Sequence, residues 1–182
     1  KAYKDVTIIP ALSFSEVIEM AYYGAQVIHP KTIKPLQNKN IPLYVKSFID
    51  PSLPGTTISK SNPKNLPPII VQKMNQVLIR FKSKDFSFVE DKPVQQLHDL
   101  FTLLKIKPNL SQHTAISLLS CFDDHAEKIE KLAADASVIF DVEVEKNLTL
   151  LTIRHYNEKT IRELTAGKKI VLEQKTEETI QV

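Results

Sequence analysis

The stretch VLIRFKSKDFSFVEDKPVQQLHDLFTLL, residues 77–104, passes from one hydrophobic pattern to another. Its start, Val77 to Phe81, is a short apolar run that favours a buried strand. Asp91 and Pro93 mark the start of a helix, because an aspartate caps the first turn and a proline needs no N–H there. Apolar residues then recur at helical spacing: Val94, Leu97, Leu100, Phe101 and Leu104. The stretch therefore predicts a strand followed by an amphipathic helix.

The same alternation continues downstream. Residues 114–122 predict a strand, with a possible paired strand beside it, and Asp123-Asp124 is interpreted as the cap of a second helix. The apolar stripe of that helix is Ala126, Ile129, Leu132 and Ala133. Residues 138–144 alternate as a strand does. The order of elements is then βαββαβ, which is typical of a ferredoxin-like α/β sandwich in the α+β class.

A shorter second unit follows. Residues 147–154, NLTLLTIR, echo residues 75–80, NQVLIR, in their asparagine start and basic end. Asn157 is expected to cap a short helix that Gly167 stops, and residues 170–173 and 179–182 predict a hairpin. This βαββ order indicates an abbreviated copy of the first module. We expect residues 69–74, which have no mate within the first module, to pair with the second.

The region before residue 60 is rich in turn signals. Ser13 and Glu16 form a capping-box pattern for a helix that Gly24 ends. Pro30 and Pro35 are each interpreted as opening a short helical turn. Residues 41–45 predict a strand and residues 57–58 an extended segment.

The predicted domain boundaries follow from these patterns. Residues 60–68, KSNPKNLPP, carry three prolines and predict a linker. The segments are therefore 1–59, the linker 60–68, a first ferredoxin-like module at 69–146 and a second, abbreviated one at 147–182, with 69–74 possibly donated to the second.

Composition excludes several classes of protein. The 182-residue chain is 42% hydrophobic and 25% charged, as expected of a globular protein. It lacks both a signal-peptide pattern and the run of roughly 18 apolar residues that a membrane helix needs. A net charge of +3 gives no support to nucleic-acid binding. The single cysteine, Cys121, fits a reducing cytoplasm, and the first residue, Lys1, suggests a fragment or a trimmed chain.

The residues by themselves predict no catalytic or metal site. The three glycines are isolated from one another, so the chain has no glycine-rich phosphate loop. The five histidines are scattered, and Cys121 lies in an apolar strand where a core role is expected. On these grounds the chain is a two-part α/β protein with a binding or regulatory role.

Several short motifs in residues 11–59 carry a resemblance to a known family. They are Glu16 with Glu19, Gly24-Ala25-x-Val27-x-His29-Pro30, Asn40-Ile41-Pro42, Asp50-Pro51 and Gly55-Thr56. In this order they resemble the end of the catalytic domain of aspartate kinases. The rest of the chain resembles the tandem ACT domains that follow in that family, which are ferredoxin-like modules that bind amino acids. The motifs cover about a third of the chain and are specific.

The resemblance implies a parent enzyme that phosphorylates the side-chain carboxylate of aspartate with ATP and Mg. The family's phosphate-handling and aspartate-binding motifs are not in this sequence, so we expect the fragment to be inactive, with no catalytic residue and no tightly bound cofactor. Gln26 and Val27 correspond to one edge of the nucleotide pocket. Many relatives have Lys in place of Gln26, and the alternative for Gln26 is an ordinary exposed polar residue.

The resemblance also implies a homodimer, formed through the ACT domains, with an effector site at its interface. The matching positions are the loop 87–92 and the segment 109–114, which give Ser87, Asp91, Asn109 and Thr114 as effector-binding candidates. Asp91 could instead be a helix cap and Thr114 a plain strand residue. Asn109 stands where lysine-sensitive relatives often have Asp, which weakens the case for L-lysine and leaves L-threonine, or loss of feedback, open.

Two other readings remain open at this point. The chain could be the middle of a bifunctional aspartate kinase–homoserine dehydrogenase, although its abbreviated second module favours a monofunctional parent. It could also be a stand-alone ACT sensor or dimerisation module, against which residues 11–59 argue. No nucleic-acid or membrane partner is expected.

Overall fold

The computed structural model describes residues 6–85 and 91–182, which contain five helices and nine strands. In chain order they are β1 (Ala11–Ser13), α1 (Phe14–Tyr22), α2 (Pro30–Asn38), β2 (Leu43–Val45), β3 (Thr56–Ser59), β4 (Ile69–Ser83), α3 (Asp91–Leu103), β5 (Leu110–His113), β6 (Ser117–Asp123), α4 (Ala126–Ala136), β7 (Phe140–Arg154), α5 (Glu158–Thr165), β8 (Gln174–Lys175) and β9 (Thr179–Gln181). The chain divides into two compact units, Lys73–Leu150 and a discontinuous one formed by Lys1–Gln72 and Leu151–Val182.

The unit Lys73–Leu150 has the predicted βαββαβ order, with the strands arranged β5-β6-β4-β7. β6 pairs antiparallel with β4, from Gln76 opposite Asp123 to Lys82 opposite Ser117, and also with β5. The core lies between this sheet and the two helices. Its largest fully buried side chains include Phe81, Phe122, Leu97 and Leu132. The ferredoxin-like fold predicted from the periodicities is confirmed.

Two details of this unit differ from the prediction. Residues 114–122 do not form one strand, because the chain turns between Thr114 and Ser117, where the Thr114 hydroxyl accepts a hydrogen bond from Ser117 N at 3.1 Å. Asp123 and Asp124 do not cap α4, which begins after His125 without a side-chain cap hydrogen bond. Asp123 instead ends β6, where it is opposite Gln76.

Residues 6–59 of the other unit form a three-stranded sheet with two helices. β3 pairs parallel with β1 and antiparallel with β2. Ser13 caps α1 as predicted by accepting a hydrogen bond from Glu16 N at 3.0 Å, but the Glu16 side chain binds Arg154 rather than reaching back to the cap. Pro35 does not open a turn. It lies inside α2, whose hydrogen bonds continue after it with Lys39 N donating to Pro35 O at 3.2 Å.

The C-terminal part of this unit has the predicted βαββ order. Asn157 caps α5 by accepting a hydrogen bond from Thr160 N at 2.8 Å, and Ile70 packs against Ile153 and Ile180. That packing concerns Ile70, and the expected pairing of the whole segment 69–74 with the second module stays a prediction. The predicted strand at 170–173 is wrong, since β8 begins at Gln174 and its hairpin with β9 is shorter.

The sequence predicted four separate strands that the structure joins into two long, continuous ones. β4 spans both 69–74 and 77–81, and β7, which begins at Phe140 rather than at Val138, spans the rest of 138–144 and all of 147–154. Within them Asn75 has φ 53° and Asn147 has φ 60°, a left-handed conformation that asparagine tolerates better than most residues. The two asparagines that begin the sequence echo therefore mark a local irregularity inside a strand rather than a break.

Of Gly55 and Gly167, Gly55 is the one at which the fold has less room for a side chain. Its φ is +73°, and a Cβ placed there would lie 2.4 Å from the Val45 carbonyl oxygen, whereas a Cβ on Gly167, at φ +69°, would meet no atom within 4 Å. We expect Gly167→Ala to lower the free energy of unfolding by about 1 kcal/mol, the cost of a left-handed residue. Gly55→Ala should cost clearly more, because the backbone must also move. Urea titrations of the two variants compare the costs directly, and equal costs would contradict the close contact.

Candidate functional site

Asn109 lies at the centre of a polar cluster at one end of the ferredoxin-like sheet. Its Nδ2 donates to Gln76 Oε1 at 2.8 Å and to Asp123 Oδ1 at 3.0 Å. Its Oδ1 accepts a hydrogen bond from the Lys73 ammonium at 2.8 Å. Gln76 Nε2 also donates to Asp123 Oδ1 at 2.9 Å. The Asn109 amide is thus engaged on both its donor and its acceptor side by residues of its own chain.

The charge balance of this cluster favours an ionised Asp123. Partial burial opposes ionisation, but the hydrogen bonds from Gln76 and Asn109, together with the charges of Lys73 and His125, hold the pKa of the Asp123 carboxyl below its usual range. Burial, with Asp123 nearby, raises the pKa of the Cys121 thiol to about 11. Cys121 is therefore a protonated core residue at neutral pH, as the sequence predicted, rather than a nucleophile.

Thr114, the other described candidate in the segment 109–114, lies at the opposite end of β5. Asn109 directly precedes this strand and Thr114 directly follows it, so about 17 Å separates them at about 3.4 Å per residue. The Thr114 hydroxyl is 2.7 Å from Ser117 Oγ, within the hairpin turn. Within one chain the structure does not bring the two residues together.

The two remaining effector candidates lie in or beside the segment before α3. Ser87 is outside the described residues, and Asp91 is the first residue of α3. The end of β4 is close to the β5–β6 turn, since Ser83 N donates to Ile116 O at 2.9 Å. Thr114 therefore lies at the end of the sheet where β4 ends and the chain continues toward α3. Asn109 lies at the opposite end of the sheet.

Gln26 and Val27 lie in the short segment between α1 and α2. Both side chains are exposed, Val27 to 49%. Nothing in the described structure covers them, so they are available to a ligand. The exposure agrees equally with Gln26 as a plain surface residue.

A second polar cluster, which the sequence did not predict, is centred on Arg154 at the end of β7. Arg154 donates to both oxygens of Glu16, from Nε at 2.6 Å and from Nη2 at 2.8 Å. Both side chains are only 7% exposed. Nη1 donates to Thr179 Oγ1 at 2.8 Å, and Nη2 lies 3.1 Å from Glu178 Oε2. A buried, two-pronged ion pair therefore links α1 to β7 and to the turn before β9.

Both members of this pair are held in their charged forms. Burial opposes ionisation of Glu16, but hydrogen bonds from Arg154 and the neighbouring His155 lower the pKa of the Glu16 carboxyl. The hydrogen bonds to Glu16 raise the pKa of Arg154. The signal that pointed to Glu16 was its capping-box position. The only hint of a buried cation was an arginine that follows the mainly apolar run 148–153 at the end of β7.

This ion pair predicts a specific pH dependence. A carboxyl with a lowered pKa stabilises the fold above its unfolded-state pKa of 4.5, and that stability is lost as the pH falls through the lower folded-state pKa. We expect the free energy of unfolding to fall more steeply between pH 5 and about pH 3 in the wild type than in Glu16→Gln. Urea titrations at a series of pH values measure the difference. Glu163→Gln, at a 63% exposed position on α5, is the matched control, and an unchanged slope in Glu16→Gln would contradict the prediction.

No group of three or more His, Cys, Asp or Glu side chains within 6–85 and 91–182 is arranged to hold a metal ion. In the same part of the chain, no helix is both long and apolar enough to cross a membrane. The candidates are thus the Asn109 cluster, the Thr114 turn and the Gln26–Val27 segment.

Comparison with known proteins bears on these candidates. Residues 1–47 match the model of the amino acid kinase family. Aspartokinase 1, chloroplastic, of Arabidopsis thaliana is 40% identical over 83 residues, which are 44% of this chain and 15% of that protein. The bifunctional aspartokinase/homoserine dehydrogenase of Haemophilus influenzae is 48% identical over 54 residues, 30% of this chain and 7% of that protein. The chain therefore spans only a small part of these relatives.

The solved structure of E. coli aspartokinase III in complex with lysine and aspartate, in its T-state, is similar over 96% of this chain and 42% of that one. The TM-score is 0.74 at 21% sequence identity. At this identity the likeness shows the fold alone. It extends from the kinase-like N-terminal segment through both ferredoxin-like modules, and so agrees with the predicted fold class.

Proposed function

We propose, on the premise that this chain belongs to the aspartokinase family, that it is the regulatory region of an aspartate kinase. The proposed role is to bind an amino-acid effector and to form a homodimer. The observation that carries the proposal is the combination of a kinase-family match at residues 1–47 with a βαββαβ module and a βαββ module after it.

The proposed parent reaction is the transfer of a phosphoryl group from ATP, with Mg, to the side-chain carboxylate of aspartate. Such a transfer depends on positioned groups that neutralise phosphate charge. We expect the chain alone to be inactive, since its glycines at 24, 55 and 167 are isolated and form no phosphate loop. Gln26 and Val27 are proposed to contribute only one edge of the nucleotide pocket.

The proposed effector is L-lysine or L-threonine. An amino acid needs acceptors for its ammonium and donors for its carboxylate. Asn109 Oδ1 already accepts from a primary ammonium, that of Lys73, with Asp123 Oδ1 at 4.0 Å from the same nitrogen. The side-chain ammonium of a lysine ligand at this end would have to displace the ammonium of Lys73. L-threonine has no side-chain ammonium, and this difference favours L-threonine there.

The homodimer is proposed from the edges of the sheet. β5 pairs with β6 on one side, and no other described strand pairs with its second edge. An open edge commonly pairs with another chain. A dimer formed there could bring the Thr114 end of one copy near the Asn109 end of the other, since strands related by a twofold axis at such an edge run antiparallel.

Calorimetric titration of the chain with L-lysine and L-threonine, together with sedimentation velocity, tests the proposal. We expect a dimer that binds one of the two amino acids and not its D-enantiomer. Lys73→Met should strengthen binding of L-lysine if that ligand occupies the Asn109 end, while Lys131→Met, at a 60% exposed position on α4, should not. A well-folded dimer that binds neither amino acid would reject effector binding.

In the bifunctional alternative, the chain has the same regulatory role. The sequence of the complete protein decides between a monofunctional and a bifunctional parent. A stand-alone ACT sensor is the other alternative, and the kinase-family match argues against it. A cytoplasmic location remains a proposal.

A further inference from the structure

Arg154 joins three elements that are far apart in the sequence. It lies at the end of β7, its hydrogen-bond partner Glu16 lies 138 residues away in the first turn of α1, and its other partners flank the start of β9. All of these residues belong to the same compact unit. The kinase-like segment and the C-terminal hairpin are thus in direct contact through one side chain.

The geometry of this contact constrains orientation as well as distance. A guanidinium that donates two parallel hydrogen bonds to one carboxylate fixes the plane of that carboxylate. Glu16 lies one turn after the Ser13 cap, so its side-chain direction is tied to the rotation of α1 about its axis. Arg154 therefore determines how α1 is oriented relative to the β8–β9 hairpin.

The exposed segment that follows α1 depends on that orientation. Gly24, at φ 109°, reverses the chain at the end of the helix, and Ala25 N donates to Met20 O at 2.9 Å. This hydrogen bond attaches the segment after α1 to the last turn of the helix, so Gln26 and Val27 move with α1. The apolar side of α1 has an independent anchor, because Phe14 and Val17 are buried in the core with Ile33 and Ile58. Weakening the ion pair should therefore loosen α1 without unfolding it.

We propose that Arg154 is a positioning residue, which couples the C-terminal β8–β9 hairpin to α1 and through α1 to the Gln26–Val27 segment. The coupling itself rests only on the contacts above. Its consequence for nucleotide binding rests on the proposed function, in which Gln26 and Val27 form an edge of the nucleotide pocket.

Hydrogen exchange measured by mass spectrometry on the full 182-residue chain tests the coupling. Arg154→Lys keeps the charge but loses the paired donors, and Glu16→Gln keeps the shape but loses the charge. In both variants we expect exchange to accelerate by about tenfold or more in two places together, residues 20–27 and residues 179–181. The matched control is Arg80→Lys, whose partner Glu143 is on the surface.

The outcomes separate the coupling from the proposed function. Acceleration confined to the hairpin, spread evenly over residues 6–72, or absent in both variants would overturn the coupling. If the coupling holds, Arg154→Lys in the complete kinase should raise KM for ATP by more than it lowers kcat, while Arg80→Lys leaves both unchanged. An unmoved KM beside a positive exchange result would leave the coupling in place and reject the nucleotide-edge role of Gln26 and Val27.

Discussion

Arg154→Met is expected to lower the free energy of unfolding of the unit that contains it by about 3–5 kcal/mol. The methionine keeps much of the apolar stem but leaves the Glu16 carboxylate, 7% exposed, without its buried countercharge. Breaking a buried pair from one side costs far more than breaking a surface pair, because the remaining charge stays desolvated. Urea unfolding followed by circular dichroism measures the loss.

The control for this result is Arg80→Met. Arg80 also lies on a strand beside apolar residues and also pairs with a glutamate, Glu143 at 3.4 Å, but the two side chains are 45% and 75% exposed. The same change there should cost no more than about 1 kcal/mol. Equal losses in the two variants would show that the Glu16–Arg154 pair is solvated and not a buried link.

Phe81→Ala is expected to destabilise the ferredoxin-like unit by about 3–5 kcal/mol. Phe81 is fully buried, and its ring lies 6.2 Å from the rings of both Phe101 and Phe140. It thus joins β4 to α3 and β7, and removing it leaves a cavity between the sheet and the helix. Urea titration of the variant, with the midpoint and slope compared with the wild type, measures the loss.

Phe48→Ala is the matched control, since Phe48 is 99% exposed in the turn before β3. The same substitution there should change the free energy of unfolding by no more than about 0.5 kcal/mol. If Phe48→Ala proved as costly as Phe81→Ala, the exposure assigned to Phe48 would be wrong and this residue would be covered in solution.

The βαββαβ order was predictable because each of its elements carries its own periodicity. Leu97, Phe101 and Leu132 fall at helical spacing and are all buried. The caps were predictable where they are local, as at Ser13 and Asn157, since each side chain bonds a backbone N–H three residues away. The resemblance of residues 11–59 to the end of an aspartate kinase catalytic domain could be read from the sequence for a similar reason, because its motifs follow one another within a single short segment.

The polar clusters were not predictable because their partners are distant in sequence. Glu16 satisfied a local pattern, and nothing near it indicated a partner 138 residues away. Asp123 was interpreted as a helix cap because it precedes α4, but its hydrogen bonds to Gln76 and Asn109 arise from the antiparallel pairing of β4 with β6. Asn109 and Thr114 lie close together in sequence, yet an extended strand separates them.

A two-dimensional ¹H–¹⁵N NMR titration of the labelled chain with L-threonine and L-lysine tests the central claim most directly, because it reports both binding and location. The regulatory role predicts that one amino acid, at concentrations up to about 1 mM, shifts amide signals at both ends of β5, near Asn109 and near Thr114. Signals of α5 (Glu158–Thr165) should stay in place. Unchanged spectra with both amino acids, or shifts confined to residues outside 73–150, would contradict the account.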